Sequence, residues 1–253
     1  MVSIKTEQEI EIMAEAGRRL ARILQVLKGE VKVGVRGKEL DAMAREMIIA
    51  GGDVPAFLGY APGAGAKPFP ATICFSVNDV VVHGIPGDEM IKDGDVVKLD
   101  IGLVHHGFYS DTALTVGVGN VSTEALRLIA ATEESAQRGI AAAKVGNTVG
   151  DIGAAIEGYI EAQGFSVVTS LSGHGIGREL HEDPMVFNFG STGKGEELRD
   201  GMVIAIEPMV GAGKGKTIQR KDDSFVMADG ALSAHFEHTV AITKNGPRIL
   251  TVM

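Results

Sequence analysis

The chain of 253 residues is 45% hydrophobic and carries a formal net charge of −9, so it can form one large core or two small ones. The acidic balance argues against general nucleic-acid binding, and no apolar run approaches the roughly 18–20 residues of a membrane span. The start MVSIKTEQEIEIM has acids where a signal peptide needs an apolar core, and a lone cysteine, Cys74, excludes an internal disulfide framework, so a cytoplasmic protein is expected.

The predicted elements begin with two helices and a loop. Thr6 and Glu9 have the spacing of a capping box, and apolar residues recur behind them at helical spacing: Ile10, Met13, Leu20, Ile23 and Leu27. A second helix is predicted from Gly37 to Ala50, where two glycines end it. The Gly- and Pro-rich stretch Ala61–Pro70 that follows is typical of a loop.

Strands and helices then alternate. The predicted elements are, in chain order, strands at Thr72–Val82, Val96–Val104 and Gly107–Val118, helices at Thr123–Ala143 and Gly150–Gln163, and strands at Met202–Glu207 and Phe236–Thr243.

A weak internal repeat is found at an offset of 112 positions. Val33-Gly34 falls on Val145-Gly146, Leu40 on Ile152, Ala42 on Ala154, Ile48 on Ile160, Ala50 on Ala162 and Gly52 on Gly164. Chance matching among Ala and Gly is the alternative, because short matches are weak support for repetition. A true repeat predicts two similar α+β halves packed as one domain, with a site where they meet.

Two aspartates lie in segments that otherwise belong to a core. Asp100 lies in the apolar stretch VVKLDIGLV, and Asp111 follows in FYSDTALTV. If the two segments form a hairpin, a turn at His105-His106 places the aspartates directly opposite each other, ~5 Å apart at Cβ. A turn at His106-Gly107 shifts the pairing by two and leaves both on one face. In either register, two ionised carboxylates in a dry setting repel and raise each other's pKa.

Further acids and histidines occupy similar positions along the chain. Glu207 ends the apolar strand GMVIAIE, Glu237 begins HFEHTVAIT, and SGHGIGRELHEDP supplies His174 and His181. Only Lys98 stands near as a compensating cation, and one lysine cannot balance four acids. Oxygen-rich sites with one histidine suit divalent Mn, Fe, Co or Zn, so the pattern predicts a two-metal site. Taken singly, a strand aspartate is more often a buried cap or an ion-pair partner.

At these motifs the chain resembles the type I methionine aminopeptidases, which have the pita-bread metallopeptidase fold. The shared motifs follow in the family's order over nearly the whole chain: VVHGIPGD, KLDIG, FYSDTA, SGHGIGRELHEDP, IEPMV and FEHTVAIT. The resemblance implies an α+β fold in which helices flank an antiparallel sheet in two pseudo-symmetric halves. It also implies a single catalytic domain over residues 1–253.

The resemblance assigns the metal ligands residue by residue. Asp100, Asp111, His174, Glu207 and Glu237 match the five ligands of two divalent ions (Co, Mn, Fe or Zn). Asp111 and Glu237 match the bridging positions. Asp100 belongs to the ion that also receives the free amine of the substrate, and His174 and Glu207 belong to the other. The nucleophile implied is a metal-bridging hydroxide.

Other family roles also fall on residues of this chain. His181 matches the imidazole that contacts the scissile peptide, His83 matches the one beside the substrate backbone, and Glu207 would be both ligand and proton shuttle. In some relatives a monovalent cation lies near the residues that match Asn78, Val80 and Ser233.

The pocket for the methionine side chain is where this sequence departs from the family. Candidates by position are Phe57, Tyr60, Phe69, Cys74 and Phe225. Phe57 stands where bacterial relatives often carry Cys, the loop of residues 61–70 is longer than theirs, and no Trp is present to cover the pocket. Phe225 would take that place. For Cys74, structural burial and substrate contact are equally open.

The resemblance implies removal of the initiator methionine from nascent proteins and peptides whose second residue is small, by a monomeric cytoplasmic enzyme. The basic loop with Lys214, Lys216, Arg220 and Lys221 is either a solvated loop or a ribosome-docking surface.

Prolidases and Xaa-Pro aminopeptidases, which usually carry an added N-terminal domain, are the nearest enzymatic alternative. Type II enzymes carry a helical insertion for which the stretch between His181 and Glu207 has no room. A non-catalytic binding protein of this fold would be expected to have lost ligands, and here none is missing.

Four histidines remain without an assigned catalytic role. His105 and His106 are interpreted as exposed turn residues. His235 and His238 flank Glu237, and strand alternation predicts that both point away from its side, with His238 a candidate support for the ligands.

Overall fold

The computed structural model describes residues 2–61, 63 and 66–253. The helices are α1 (Glu7–Glu30), α2 (Gly37–Ala50), α3 (Thr123–Ala142) and α4 (Val149–Ala162). The strands are β1 (Val54–Pro55), β2 (Ile73–Val77), β3 (Val80–Val82), β4 (Val96–His105), β5 (Phe108–Gly117), β6 (Ser166–Val167), β7 (Gly173–Gly175), β8 (Glu182–Val186), β9 (Val203–Ile206), β10 (Met209–Gly211), β11 (Thr217–Gln219), β12 (Phe225–Met227), β13 (Ser233–His235), β14 (Glu237–Thr243) and β15 (Gly246–Ile249).

The helices follow the local signals of the sequence closely. At the start of α1, Thr6 Oγ1 accepts from the Glu9 amide at 3.3 Å and Glu9 Oε2 accepts from the Thr6 amide at 2.8 Å, which is the predicted capping box. Helix α2 has the predicted bounds, and α3 and α4 differ from the prediction by one residue at their ends. Among the described residues of the predicted loop 61–70, none belongs to a helix or strand, and Pro62, Ala64 and Gly65 lie outside the described residues.

The strands form one large curved antiparallel sheet and two small ones. The large sheet has nine strands in the order β1-β4-β5-β14-β9-β7-β8, with β2 added beside β4 and β15 beside β14. The small sheets have the orders β13-β10-β6 and β11-β12-β3. The predicted strand Thr72–Val82 is divided into β2 and β3, because Asn78 has a positive φ of 54° and turns the chain there.

The β4–β5 hairpin turns at His106-Gly107, which decides between the two registers left open by the sequence. Both turn residues have positive φ (49° and 82°), as a two-residue hairpin of right-handed twist requires. Asp111 therefore pairs with Gly102, two residues beyond Asp100. Because side chains two apart lie on one face of a strand, the two aspartates share a face at a diagonal.

The offset of 112 positions seen in the sequence is a true structural repeat. Helix α4 lies 112 residues after α2, and β6 lies 112 residues after β1. The Gly34 amide donates to Ile91 O, and in the second half the Gly146 amide donates to Leu198 O. The two halves therefore share their hydrogen bonds as well as their order of elements.

Helices cover the sheet on one side, and each half has its own core cluster. The first joins α1 and α2 to β4, with Leu20, Leu40 and Leu99 fully buried. The second joins α3 and α4 to β9, with Leu128, Ile152 and Ile204 fully buried. Burial of a large aliphatic side chain stabilises the fold by roughly 1.5–3 kcal/mol. Among the described residues, no helix is long and apolar enough to cross a membrane.

Candidate metal centre and active site

The strands bring the five predicted metal ligands to one place on the concave face of the sheet. Asp100 lies on β4, Asp111 on β5, His174 on β7 and Glu237 at the head of β14, while Glu207 directly follows β9. These strands are neighbours in the sheet, and Glu237 pairs with Ala113 on β5. The five residues span 138 positions of sequence. They meet because strands of the two halves pair with each other in one sheet.

Three of the candidate ligands are close enough together to contact a single ion, and the other two lie beside them. Asp111, His174 and Glu237 each place one ligand atom within 4.8 Å of the others. Glu207 Oε1 lies 3.4 Å from His174 Nε2. Asp100 lies close enough to Asp111 and to the Cys74 thiol for both to influence its pKa. The four acids and the imidazole thus form one continuous group.

Burial makes this group of carboxylates unstable as free anions. Loss of hydration raises the pKa of Asp100 to about 7. The same cause, with repulsion from neighbouring acids, raises the pKa of Asp111, Glu207 and Glu237 well above the ordinary range. A positive charge in the cluster would remove both penalties at once.

The donor set fits divalent ions. Asp100 Oδ1, Asp111 Oδ1 and Glu237 Oε1 are buried without a hydrogen-bond partner, although buried polar atoms are nearly always paired. Lys98, the cation named by the sequence, does not neutralise them, since its ammonium is bonded to Asn78 and Ser233. Carboxylate oxygens with one imidazole are the ligand mixture that suits first-row divalent ions.

His174 is oriented as a metal ligand. Its Nδ1 lies 2.8 Å from the Gly175 carbonyl oxygen, so Nδ1 carries the proton and donates it. Burial lowers the pKa of His174 to about 4, which keeps the ring neutral. Nε2 is then left with a free lone pair toward the acids.

Two further histidines border the cluster and reach solvent. The His181 ring meets the His174 ring at a centroid distance of 4.3 Å, and its Nδ1 is hydrogen-bonded to the Tyr60 hydroxyl. Burial, followed by the nearby His174 and His83, lowers the pKa of His181 to about 3. His83 lies on the other side, with a positive φ of 60° and a pKa lowered by loss of hydration.

The predicted pocket residues gather beside the metal cluster. Phe57, Tyr60, Phe69 and Cys74 belong to one apolar group, and Phe225 meets the His83 ring edge-on at 5.7 Å. Burial and the adjacent Asp100 raise the pKa of the Cys74 thiol, which argues against a thiolate nucleophile.

An open cleft of about 720 Å³ leads away from these residues, and His174 and His181 form its inner wall. Arg178, Glu179 and Met185 line its outer part. The cleft offers room for a peptide that extends from the metal cluster into solvent.

The interpretation of His105 as an exposed turn residue is wrong. Because the turn lies at His106-Gly107, His105 remains on β4, is buried, and places Nδ1 2.6 Å from Asp53 Oδ1. His106 is exposed, as predicted.

His235 is a residue that sequence reasoning missed, and its predicted direction is wrong. It lies on the acid side with Nε2 3.8 Å from Glu207 Oε2, because it stands two positions before Glu237 and side chains two apart share a face of an extended chain. The signal available in the sequence was its even spacing from Glu237. His238 does point away, and its Nδ1 is 2.9 Å from Thr251 Oγ1.

The side chains of the basic loop are all exposed: Lys214, Lys216, Arg220 and Lys221. Arg220 pairs with Asp79 at 3.3 Å.

Comparison with known proteins agrees with this arrangement. Residues 11–244 match metallopeptidase family M24. The methionine aminopeptidase of Clostridium perfringens is 49% identical over 100% of both chains, and methionine aminopeptidase 1 of Bacillus subtilis is 44% identical over 99% of both. The crystal structure of methionine aminopeptidase from Rickettsia prowazekii superposes with a TM-score of 0.95 at 38% identity and covers 100% of each chain. The chain is thus a metallo-aminopeptidase that belongs to family M24 and, within it, to the bacterial type I methionine aminopeptidases.

Proposed function

We propose that this enzyme removes the N-terminal methionine from nascent proteins and peptides whose second residue is small. The observation that carries the proposal is that the five candidate metal-ligand side chains lie beside an apolar group, which contains Phe57, Tyr60, Phe69 and Cys74, and that one of them, His174, borders an open cleft. A peptide whose free amine is held at the metal cluster has one side chain for the pocket, and its remainder occupies the cleft.

We infer that Asp100, Asp111, His174, Glu207 and Glu237 would hold two divalent ions, and the family resemblance assigns Asp111 and Glu237 to both. When bound, such ions neutralise the buried acids, acidify water and polarise the scissile carbonyl.

The protein side chains hold and move protons around this centre. The Tyr60 hydroxyl is hydrogen-bonded to His181 Nδ1. In the tautomer in which Nδ1 accepts this bond, the neutral ring carries its proton on Nε2 and would donate it to the oxygen of the scissile carbonyl as negative charge develops there. The Glu207 carboxylate, whose Oε1 lies 3.4 Å from His174 Nε2, would accept a proton from the attacking water and pass it to the departing amine. His83 orients the substrate backbone from the opposite side.

Specificity follows from the two sides of the site. An unbranched thioether suits a pocket of aromatic side chains and sulfur, such as that formed by Phe57, Tyr60, Phe69, Cys74 and Phe225. The second residue of the substrate faces the wall formed by His83 and His181, where a large side chain displaces the scissile bond. A small displacement can lower the rate by ~100-fold.

A panel of tripeptides tests the proposal. Met-Gly-Met and Met-Ala-Ser should be cleaved well, and peptides with Leu or Lys in second position should be cleaved poorly. Leu-Gly peptides should lag by ~10–200-fold, the range for one shape change in a hydrophobic pocket. An Xaa-Pro peptide cleaved faster than Met-Ala-Ser would favour a prolidase instead.

We also propose a single catalytic domain over residues 1–253 that acts as a cytoplasmic monomer and meets its substrates at the ribosome. The exposed charges of Lys214, Lys216, Arg220 and Lys221 support a docking role. Reversal of all four charges should weaken co-sedimentation with ribosomes and leave tripeptide cleavage unchanged. Equal sedimentation of both forms would make the loop an ordinary solvated one.

A further inference from the structure

Lys98 is a fully buried lysine whose charge the catalytic site does not use. Its side chain is 1% exposed on β4. Nζ lies 2.7 Å from Asn78 O, 3.1 Å from Ser233 O and 3.1 Å from Ser233 Oγ. Ser233 Oγ in turn lies 3.0 Å from Asn78 O and 3.2 Å from Val80 O. The ammonium group therefore lies in a small cage of oxygens.

The cage matches an ammonium ion. An ammonium has three N–H donors, and three acceptor oxygens surround Nζ. A neutral amine would direct a lone pair at one of them. In the part of the chain that the structure describes, no carboxylate forms an ion pair with Nζ, so the ammonium charge is stabilised by uncharged oxygen acceptors.

The second half of the molecule shows that the strand itself does not need a lysine here. The segment KDGDVVKLD that ends at Asp100 has its counterpart in RDGMVIAIE, which ends at Glu207. In that alignment Ala205 takes the place of Lys98, and it is buried in a regular strand. A lysine is therefore not required by the strand at this position, and the surrounding oxygens explain its presence.

Those oxygens are the ones that the family resemblance assigns to a monovalent cation. We propose that the Lys98 ammonium takes the place of that ion, so this enzyme binds no alkali cation at Asn78, Val80 and Ser233. A free cation does not fit, because Nζ already lies within hydrogen-bond distance of the cage oxygens.

The position gives the ammonium a structural task next to the active site. It joins the turn that precedes β3 and His83 to the strand β13 that precedes Glu237, and it is itself two residues from Asp100. Lys98 is therefore a positioning residue: it holds three segments that each lead to a site residue, and it does so without an exchangeable ion.

Thermal unfolding of the protein in EDTA, which excludes effects of divalent ions, tests the inference. Melting temperatures are compared in sodium, potassium and choline chloride at equal ionic strength. The wild type should melt at the same temperature in all three salts. Lys98→Ala empties the cage and should melt lower in choline, with partial recovery in sodium or potassium. Lys98→Met fills the space with an apolar chain and should melt low in every salt. Lys92→Ala removes an exposed lysine and should behave as wild type.

The outcomes separate the alternatives. A wild-type melting temperature that rises in sodium or potassium over choline would show that an alkali ion enters despite Lys98, and would overturn the proposal. Lys98→Ala that melts as wild type in choline would also overturn it. If neither variant folds, sodium-23 NMR on the wild type decides: line broadening that thallium(I) reverses would reveal a bound alkali ion, whereas unbroadened lines support the lysine.

Discussion

The two halves of the molecule use the same scaffold but contribute different chemistry. In the first half, Lys92-Asp93-Gly94 precedes β4, and in the second, Arg199-Asp200-Gly201 precedes β9. Gly94 and Gly201 have φ of 90° and 89°, and their amides donate to Val118 O and Ile242 O. The backbone of the approach to each site strand is thus repeated, even though few side chains are shared.

The site residues differ between the halves in a systematic way. The first half supplies two aspartates, Asp100 and Asp111, and the second supplies two glutamates, Glu207 and Glu237, on the corresponding strands. The imidazole of His174 is contributed by the second half on β7. The comparison teaches that duplication supplies a pair of acids from each half, while the groups that we propose to move protons, His181 and Glu207, both come from the second half.

The largest expected effect comes from the loss of an acid of the first half. Asp111→Asn removes the charge of a carboxylate that we propose is shared by both ions, so activity and metal should be lost together. Metal content after reconstitution with Mn²⁺ or Co²⁺ should be two ions in the wild type and fewer in the variant.

A matched control for this change is Asp88→Asn, which alters an exposed carboxylate remote from the cluster. It should retain both ions and full activity. Full activity of Asp111→Asn would contradict the bridging assignment.

A substitution in the second half should slow the reaction without changing metal binding. His181→Ala removes a hydrogen-bond donor at the cleft and should lower kcat by at least ~100-fold, the scale for one transition-state donor. Metal stoichiometry should stay unchanged. His106→Asn, at the exposed hairpin turn, serves as the histidine control, because Asn tolerates the positive φ there. Loss of metal in His181→Ala would make His181 a ligand.

The sequence alone predicted the ligand positions because acids inside apolar strands are anomalies that periodicity exposes. It could not choose the hairpin register, since both two-residue turns leave Asp100 and Asp111 on one face. Because the turn lies at His106-Gly107, His105 stays on the strand and is hydrogen-bonded to Asp53.

Contacts between distant segments were beyond sequence reasoning. Lys98 was recognised as a cation on the face of Asp100, yet its partners Asn78 and Ser233 stand 20 and 135 positions away. His235, by contrast, was within reach of the sequence, because it stands two positions before Glu237 and side chains two apart share a face of an extended chain.

Metal removal should reverse the order of stability between wild type and Asp111→Asn. A carboxyl whose folded pKa is raised stabilises the protein at low pH, and that stability is lost as pH rises through the folded pKa. In EDTA, the wild type should therefore lose ~1–3 kcal/mol between pH 7.5 and 9, a range in which ordinary histidines are largely neutral in both states. Asp111→Asn should lose less and melt higher than the wild type at pH 8. With Mn²⁺ present the wild type should melt higher. An unchanged order in EDTA would mean that the acids do not repel.

The smallest effect tests the scaffold itself. Gly52 and Gly164 occupy equivalent positions after α2 and α4, with φ of 79° and 81° and no atom within 4 Å of an added Cβ. Substitution by alanine therefore adds backbone strain without a clash, and each variant should lose about 1 kcal/mol of unfolding free energy. Gly158→Ala, inside α4 with open space around it, should instead gain roughly 0.5–1 kcal/mol. Urea titration measures all three. If the two halves are equivalent in energy as well as in geometry, the losses of unfolding free energy at Gly52 and Gly164 will agree within experimental error. Clearly unequal losses would show that the halves share a backbone path but not its contribution to stability.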